Sequence, residues 1–95
     1  MQLARVTGTL VASRKDPLLE GMTFLVLQQV AADSGDEGGF VVAVDAVGAG
    51  VGEVVMYASG SSARQTVLTQ DRPCDAVIMA IVDTWEVDGE VKYQK

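Results

Sequence analysis

The sequence has no histidine and a single cysteine. Histidine is the commonest general base and a frequent metal ligand, so its absence removes the groups on which many catalytic and metal sites depend. A catalytic cysteine needs a nearby base, and Cys74 has no histidine to pair with. One cysteine also excludes an internal disulfide. We therefore interpret Cys74 as a partly buried, inert thiol, and we expect no enzyme activity, no cofactor and no metal site.

Basic and aromatic residues are also scarce. Seven lysines and arginines stand against thirteen acidic residues, for a net charge of -6, and only one tryptophan, two tyrosines and two phenylalanines are present. This average charge repels a phosphate polyanion, and single-stranded nucleic acids need aromatic platforms on which their bases stack. The composition therefore argues against a nucleic-acid partner.

Long apolar runs are missing as well. The longest uncharged apolar stretch covers residues 76–82, far short of the roughly 20 residues that span a bilayer. The first residues also lack the basic start and apolar run of a signal peptide. These features predict a soluble intracellular protein without membrane contact, built as a single domain over residues 1–95.

The residues that are present favour strands. Short β-branched segments alternate with frequent turn signals, a pattern typical of an all-β barrel or sandwich. Gly8 lies inside the first segment and predicts a bend or bulge. The Asp88-Gly89 pair predicts a two-residue hairpin turn before a short C-terminal strand. The predicted strands cover residues 3–13, 23–31, 40–46, 53–58, 76–87 and 90–95, with one short helical turn at 61–66 and loops at 14–21, 33–39 and 69–75.

A glycine cluster at 48–52, with the sequence GAGVG, superficially suggests a phosphate-binding loop. It is followed by the predicted strand EVVMYA, whereas dinucleotide and P-loop sites need a helix N-terminus after the glycines. No Gly-Lys-Ser/Thr follows either. Two interpretations remain for Gly48, Gly50 and Gly52: a tight connection between strands, or a close approach between subunits.

Three charged residues and a small-residue segment are further candidates. Asp45 and Asp83 occur in or after apolar strands, where an unpaired carboxylate is costly. We expect each to accept bonds from backbone amides or to meet an arginine, in its own or in a neighbouring chain. The segment Gly60–Arg64 suits a surface where symmetry-related copies crowd around an axis, although a solvated turn fits it equally well. Arg64 has the planar fork that suits a carboxylate across an interface.

Four blocks in order resemble a known family. They are ARVTGTLVAS at 4–13, GMTFLVLQ at 21–28, VAVDAVGAGVGEVVMYASGSSAR at 42–64 and RPCDAVIMAIVD at 72–83. Together they cover nearly the whole chain. In these blocks the sequence resembles the bacterial microcompartment vertex proteins, the pentamer-forming shell proteins of carboxysomes and of ethanolamine-type compartments.

The resemblance implies a five-stranded OB-like β-barrel with one short helix, to which the terminal hairpin adds a C-terminal β extension. It implies a homopentamer that caps the vertices of a cytoplasmic microcompartment shell, among hexameric and trimeric shell proteins. It further implies a narrow central pore lined by Gly60, Ser61 and Ser62. The subunit-interface positions that it implies are Asp45, Gly48, Gly50, Gly52, Arg64 and Asp83.

A second hypothesis comes from a different class of protein. OB-type barrels often bind oligonucleotides, and fold alone does not fix function. A module that binds single-stranded nucleic acid or a small ligand needs a basic or aromatic face. Trp85 and Tyr57 are the plausible stacking residues, and neither has a cationic cluster beside it in the sequence.

Overall fold

The computed structural model describes residues 1–13, 15–70 and 74–95. Arg14 and Pro73, which belong to two of the predicted loops, lie outside the described residues. The strands are β1 (Gln2–Leu10), β2 (Phe24–Val30), β3 (Glu37–Asp45), β4 (Val54–Ser59), β5 (Ala76–Ile81), β6 (Thr84–Val87) and β7 (Glu90–Gln94), and two 3-10 helices cover Pro17–Leu19 and Gly60–Arg64. No helix among the described residues has the length and apolar character of a membrane span.

Five strands close into a barrel in the order β1-β2-β3-β5-β4, and β4 pairs back with β1. All neighbours are antiparallel except β3 and β5, which run parallel and pair only at Val44 with Val77 and at Asp45 with Ile78. Strands β6 and β7 form a separate two-stranded sheet. The structure thus confirms the predicted all-β class, the five-stranded barrel and the C-terminal β extension.

The barrel interior is filled by small and branched side chains that alternate along the strands, as period-2 patterning predicts. Tyr57 is the largest of them and is only 1% exposed. Its hydroxyl accepts a hydrogen bond from Gln29 Nε2 at 2.9 Å and donates one to Gln2 Oε1. The buried cluster consists of Ala4, Val6, Leu25, Leu27, Ala43, Val55, Tyr57, Ala76 and Ile78.

A second buried cluster lies outside the barrel lumen, where the connections cover the strands. It contains Met22, Val44, Ala58, Ala63, Cys74 and Val77. The thiol of Cys74 is therefore packed among apolar neighbours, as predicted for this residue. The cluster also explains why Val44 is buried while Phe40 and Val42, on the same face of β3, are 67% and 48% exposed.

Bulges bend the strands so that the sheet can close. The pairing of β1 with β2 shifts between Val6 and Gly8, which confirms the irregularity predicted at the glycine. The pairing of β4 with β5 shifts between Met56 and Tyr57, which interrupts the side-chain alternation along β5 and leaves Met79 36% exposed.

Several predicted boundaries were wrong. The single strand predicted over 76–87 is two strands, because the chain leaves the barrel after Val82, whose amide still bonds to Val54 O at 2.8 Å. From Thr84 onwards the backbone pairs with β7 instead. The first strand ends at Leu10 and not at residue 13, while β3 begins at Glu37, inside the predicted acidic loop. The predicted helical turn is a 3-10 helix over Gly60–Arg64.

Candidate functional site

The glycine cluster forms the connection between β3 and β4. Gly48 and Gly52 have φ angles of 78° and 94°, a left-handed conformation that side-chain-bearing residues rarely adopt. Gly50 has no such angle, but a Cβ there would lie 3.4 Å from Glu53 Oε1. Its amide donates to that oxygen at 2.6 Å. The observed conformation is that of a tight strand connection.

Asp45 ends β3 and fixes the start of this connection. Its Oδ1 accepts hydrogen bonds from the amides of Val47 and Gly48, each at 3.0 Å, and Oδ2 accepts one from Ala49 at 3.0 Å. Such bonds to a carboxylate are stronger than bonds between neutral groups. The prediction that Asp45 organises backbone amides is confirmed.

The other end of the connection is bound to β1 and to the C-terminus. The amide of Gly52 donates to Val6 O at 2.8 Å, and the amide of Val6 donates to Glu53 O at 2.9 Å. Glu53 Oε2 also accepts a hydrogen bond from Lys95 Nζ at 2.5 Å. This hydrogen bond is the main cause that lowers the pKa of Glu53 below its ordinary 4.5, with the Gly50 amide as the second cause. The same bond raises the pKa of Lys95 above 10.5.

The segment predicted to line a pore follows β4. Gly60 has a φ of 64° and its amide donates to Asp75 O at 2.8 Å, which fixes where the 3-10 helix begins. Ser61 and Ser62 are exposed, whereas Ala63 is fully buried. The hydroxyl of Thr69 donates to Ala63 O at 2.5 Å. The segment is thus fixed to the protein interior through Ala63, and it exposes the two small hydroxyl side chains of Ser61 and Ser62 to solvent.

Arg64 ends this helix and has a partner that sequence reasoning missed. Its Nη1 atom lies 3.3 Å from Asp75 Oδ1 and donates to Cys74 O at 3.2 Å. The Asp75 side chain is 94% exposed, so this ion pair is solvent-screened and worth little. The sequence gives one indication of the Arg64–Asp75 ion pair, namely that Asp75 directly precedes the fifth strand.

The predicted site residues fall at two ends of β4. Asp45 and the three glycines lie before the strand, and Gly60–Arg64 lies after it. Six residues of extended chain separate the two groups, about 20 Å at the usual rise per residue. Asp83 is exposed and lies on the glycine side, because the adjacent Val82 bonds to Val54. One chain therefore does not bring Arg64 together with Asp45 or Asp83.

The residues required by the ligand-binding alternative are engaged in other contacts. Tyr57 is buried in the barrel. Trp85 stacks on Tyr93 with ring centroids 5.3 Å apart, and its indole N–H donates to Ala32 O at 2.9 Å. Within the described parts of the chain, no group of three or more acidic or cysteine side chains could hold a metal ion.

A shallow depression adjoins the exposed serines. Its volume is about 390 Å³, and its lining combines two methionine side chains with small and polar ones. The lining residues are Met1, Ala58, Ser59, Ser62, Gln65 and Met79. The depression places Ser62 beside Met1 and Met79, two apolar side chains that are 73% and 36% exposed.

Comparison with known proteins decides the family. The family model described as "Ethanolamine utilisation protein EutN/carboxysome" matches residues 1–83. The chain belongs to this family. The carboxysome shell vertex protein CcmL of Gloeobacter violaceus is 44% identical over an alignment 100 residues long. The alignment covers 100% of this chain and 95% of CcmL. Its solved structure superposes with a TM-score of 0.95 over 100% of this chain and 98% of that one.

Other EutN/CcmL relatives carry the same description. The microcompartment shell vertex protein PduN of Salmonella typhimurium is 46% identical over 92 residues, covering 88% of this chain and 97% of PduN. The structure of GrpN from Rhodospirillum rubrum, described as a pentameric microcompartment shell protein, is 40% identical with a TM-score of 0.82, over 92% of this chain and 99% of GrpN. The family match ends at residue 83, so the β6–β7 hairpin lies beyond it.

Proposed function

We propose that this chain is a structural shell vertex protein, a homopentamer that closes the polyhedral shell of a bacterial microcompartment at its vertices. The observation that carries the proposal is the full-length match, in sequence and in fold, to shell vertex proteins. The pentameric relative supports the subunit number. In the shell, the pentamer would sit among hexameric and trimeric shell proteins in the cytoplasm.

The proposed mechanism is geometric. A closed ring repeats one heterologous interface, in which two different surfaces of the chain meet. A layer of hexagonal tiles stays flat, and five-fold units give it the curvature that closes a polyhedron. On this proposal residues 1–95 act as one vertex domain, and the protein performs no turnover and needs no cofactor or metal.

The proposed pore is lined by Gly60, Ser61 and Ser62. Their exposure and small size support this placement, since five copies can approach an axis closely only where side chains are short. Ala63 is buried against the protein interior. On this proposal it holds Gly60, Ser61 and Ser62 in fixed positions around the pore.

The proposed subunit interface joins the two ends of β4 in neighbouring copies. Arg64 lies at one end and Asp45 and Asp83 at the other, as a heterologous contact requires. In the ring, Arg64 would exchange its exposed partner Asp75 for a neighbour's carboxylate, or would bind both. Gly48, Gly50 and Gly52 would give the neighbour's backbone room to approach.

Native mass spectrometry of the full chain tests the proposal directly. At micromolar concentration we expect a pentamer, and a spectrum that contains only monomers would count decisively against the function. The variant Ser62→Trp places a bulky ring near the proposed axis, so we expect a disturbed ring or a blocked pore. Ser13→Trp, at another exposed serine, is the matched control and should leave the pentamer intact.

A binding titration separates this function from the ligand-binding class. With single-stranded oligonucleotides at low salt, we expect no tight binding, because Tyr57 is buried and Trp85 already stacks on Tyr93. Tight, salt-dependent binding would instead favour a nucleic-acid module.

A further inference from the structure

The C-terminal hairpin, here called the arm (Thr84–Gln94), is a well-formed element outside the barrel. Its turn has Asp88 at φ 53° and Gly89 at φ 80°, the two left-handed residues that a tight hairpin turn of the primed type requires. The Trp85–Tyr93 stack joins its strands, and Lys92 Nζ lies 3.3 Å from Glu90 Oε2. These local features determine its shape.

The arm has few attachments to its own barrel. In the described parts of the chain, its polar contacts with the rest of the molecule are the Lys95–Glu53 ion pair just after the arm and the indole bond from Trp85 to Ala32 O. Among the described residues, no barrel strand adds to its sheet. Two-stranded hairpins are marginally stable in water unless a third strand or another surface covers them. The arm keeps Val91 56% exposed, so part of its apolar surface is uncovered.

An apolar surface on the barrel also lacks cover. Phe40 and Val42 point outwards from β3. The strand pairs with β2 along its length but with β5 only at Val44 and Asp45, so one backbone edge of its first half has no strand partner in the described chain. Open edges with apolar side chains are sites where another chain can add.

We propose that the arm of one copy packs against the exposed β3 surface, Phe40 and Val42, of the adjacent copy in the ring. This inference rests on the proposed pentamer, which gives each chain a neighbour held beside it. A heterologous interface needs two different surfaces on each chain, and the arm and the β3 surface are two different surfaces that both expose apolar side chains. Each covers apolar area that the isolated chain leaves in water.

The first test is photo-crosslinking in the full-length protein. A benzoyl-phenylalanine replaces Val91, and rings are assembled from mixed unlabelled and nitrogen-15-labelled chains, so that crosslinks between copies carry mixed mass. We expect crosslinks between copies that map to residues 37–45. Crosslinks within one chain only, or crosslinks to another part of the neighbour, would overturn the proposal.

The second test measures ring stability. Val91→Asp should raise the concentration at which half of the pentamer dissociates by about tenfold, because a charge then enters an apolar contact. Val67→Asp, at a 98% exposed valine, is the matched control and should leave it unchanged. An unmodified chain that is monomeric would reject the ring itself. A pentamer whose dissociation is the same in both variants would reject only the arm contact.

Discussion

The barrel and the arm are both antiparallel β structure, yet they are stabilised in different ways. The barrel surrounds a continuous buried cluster and has its connections fixed by hydrogen bonds to Asp45 and Glu53. The arm is held by its tight turn, the Trp85–Tyr93 stack, the indole hydrogen bond to Ala32 O and ion pairs at the surface. Burial gives the barrel a stability of its own, whereas the arm keeps its shape through local contacts and keeps surface available for another molecule.

The largest expected effect is on the barrel core. Leu27→Ala should lower the free energy of unfolding by about 2–5 kcal/mol, because a fully buried side chain leaves a cavity behind. Urea titration followed by Tyr57 and Trp85 fluorescence measures it. Val67→Ala should change almost nothing. If Leu27→Ala were equally neutral, burial would not be the source of the barrel's stability.

A smaller effect is expected at the connection before β4. Asp45→Ala removes the acceptor of three backbone amides and should cost about 1–2 kcal/mol of unfolding free energy. Asp45→Asn retains one carbonyl oxygen and should recover part of the loss. If the native chain and both Asp45 variants were equally stable in urea, hydrogen bonds from these amides to water would be as favourable as their bonds to Asp45.

The arm should respond separately from the barrel. Trp85→Ala removes the stack on Tyr93, a contact worth roughly 0.5–1.5 kcal/mol in measured pairs. We expect faster amide hydrogen exchange in residues 84–94 while the barrel amides keep their protection. Loss of barrel protection in this variant would show that the two regions unfold as one unit.

The smallest effect is expected at the ion pair after the arm, and it depends on pH. The depressed pKa of Glu53 contributes stability that is lost as the pH falls through the folded value, which lies below 4.5. The raised pKa of Lys95 contributes stability that is lost as the pH rises through a value above 10.5. Lys95→Met should therefore loosen the arm between these limits and match the native chain at a pH below the lower limit or above the upper one. Arm exchange rates against pH measure this, and high salt should weaken the difference.

Local sequence patterns predicted which strands and turns exist better than they predicted where each strand ends and which strand it pairs with. Gly8 and the Asp88-Gly89 turn were located correctly, because a bulge and a tight turn need particular residues at particular positions. The break after Val82 was missed, since the run AIVDTW alternates in the same way whether it stays in the barrel or leaves it.

The site was predictable where its contacts are close in the chain. Asp45 meets amides two to four residues later, and such contacts follow from the sequence. The partner of Arg64 depends on β5 lying beside β4, a fact of topology that no local pattern contains. The interface and pore assignments of these residues stay predictions for the same reason, since they depend on a second copy of the chain.

The short parallel contact between β3 and β5 has a consequence for folding kinetics. The other barrel strands meet in longer antiparallel ladders, and β1, β2 and β3 follow one another along the chain. The β3–β5 pairing joins residues 33 positions apart in sequence (Val44 with Val77) through only two residue pairs, and the β1–β4 pairing joins residues 49 to 55 positions apart (Arg5 with Val54, Gln2 with Tyr57). Contacts of high sequence separation cost the most chain entropy to close. We therefore expect the β1–β2–β3 meander to form first, and the addition of β4 and β5, which closes the barrel against β1 and β3, to limit the folding rate.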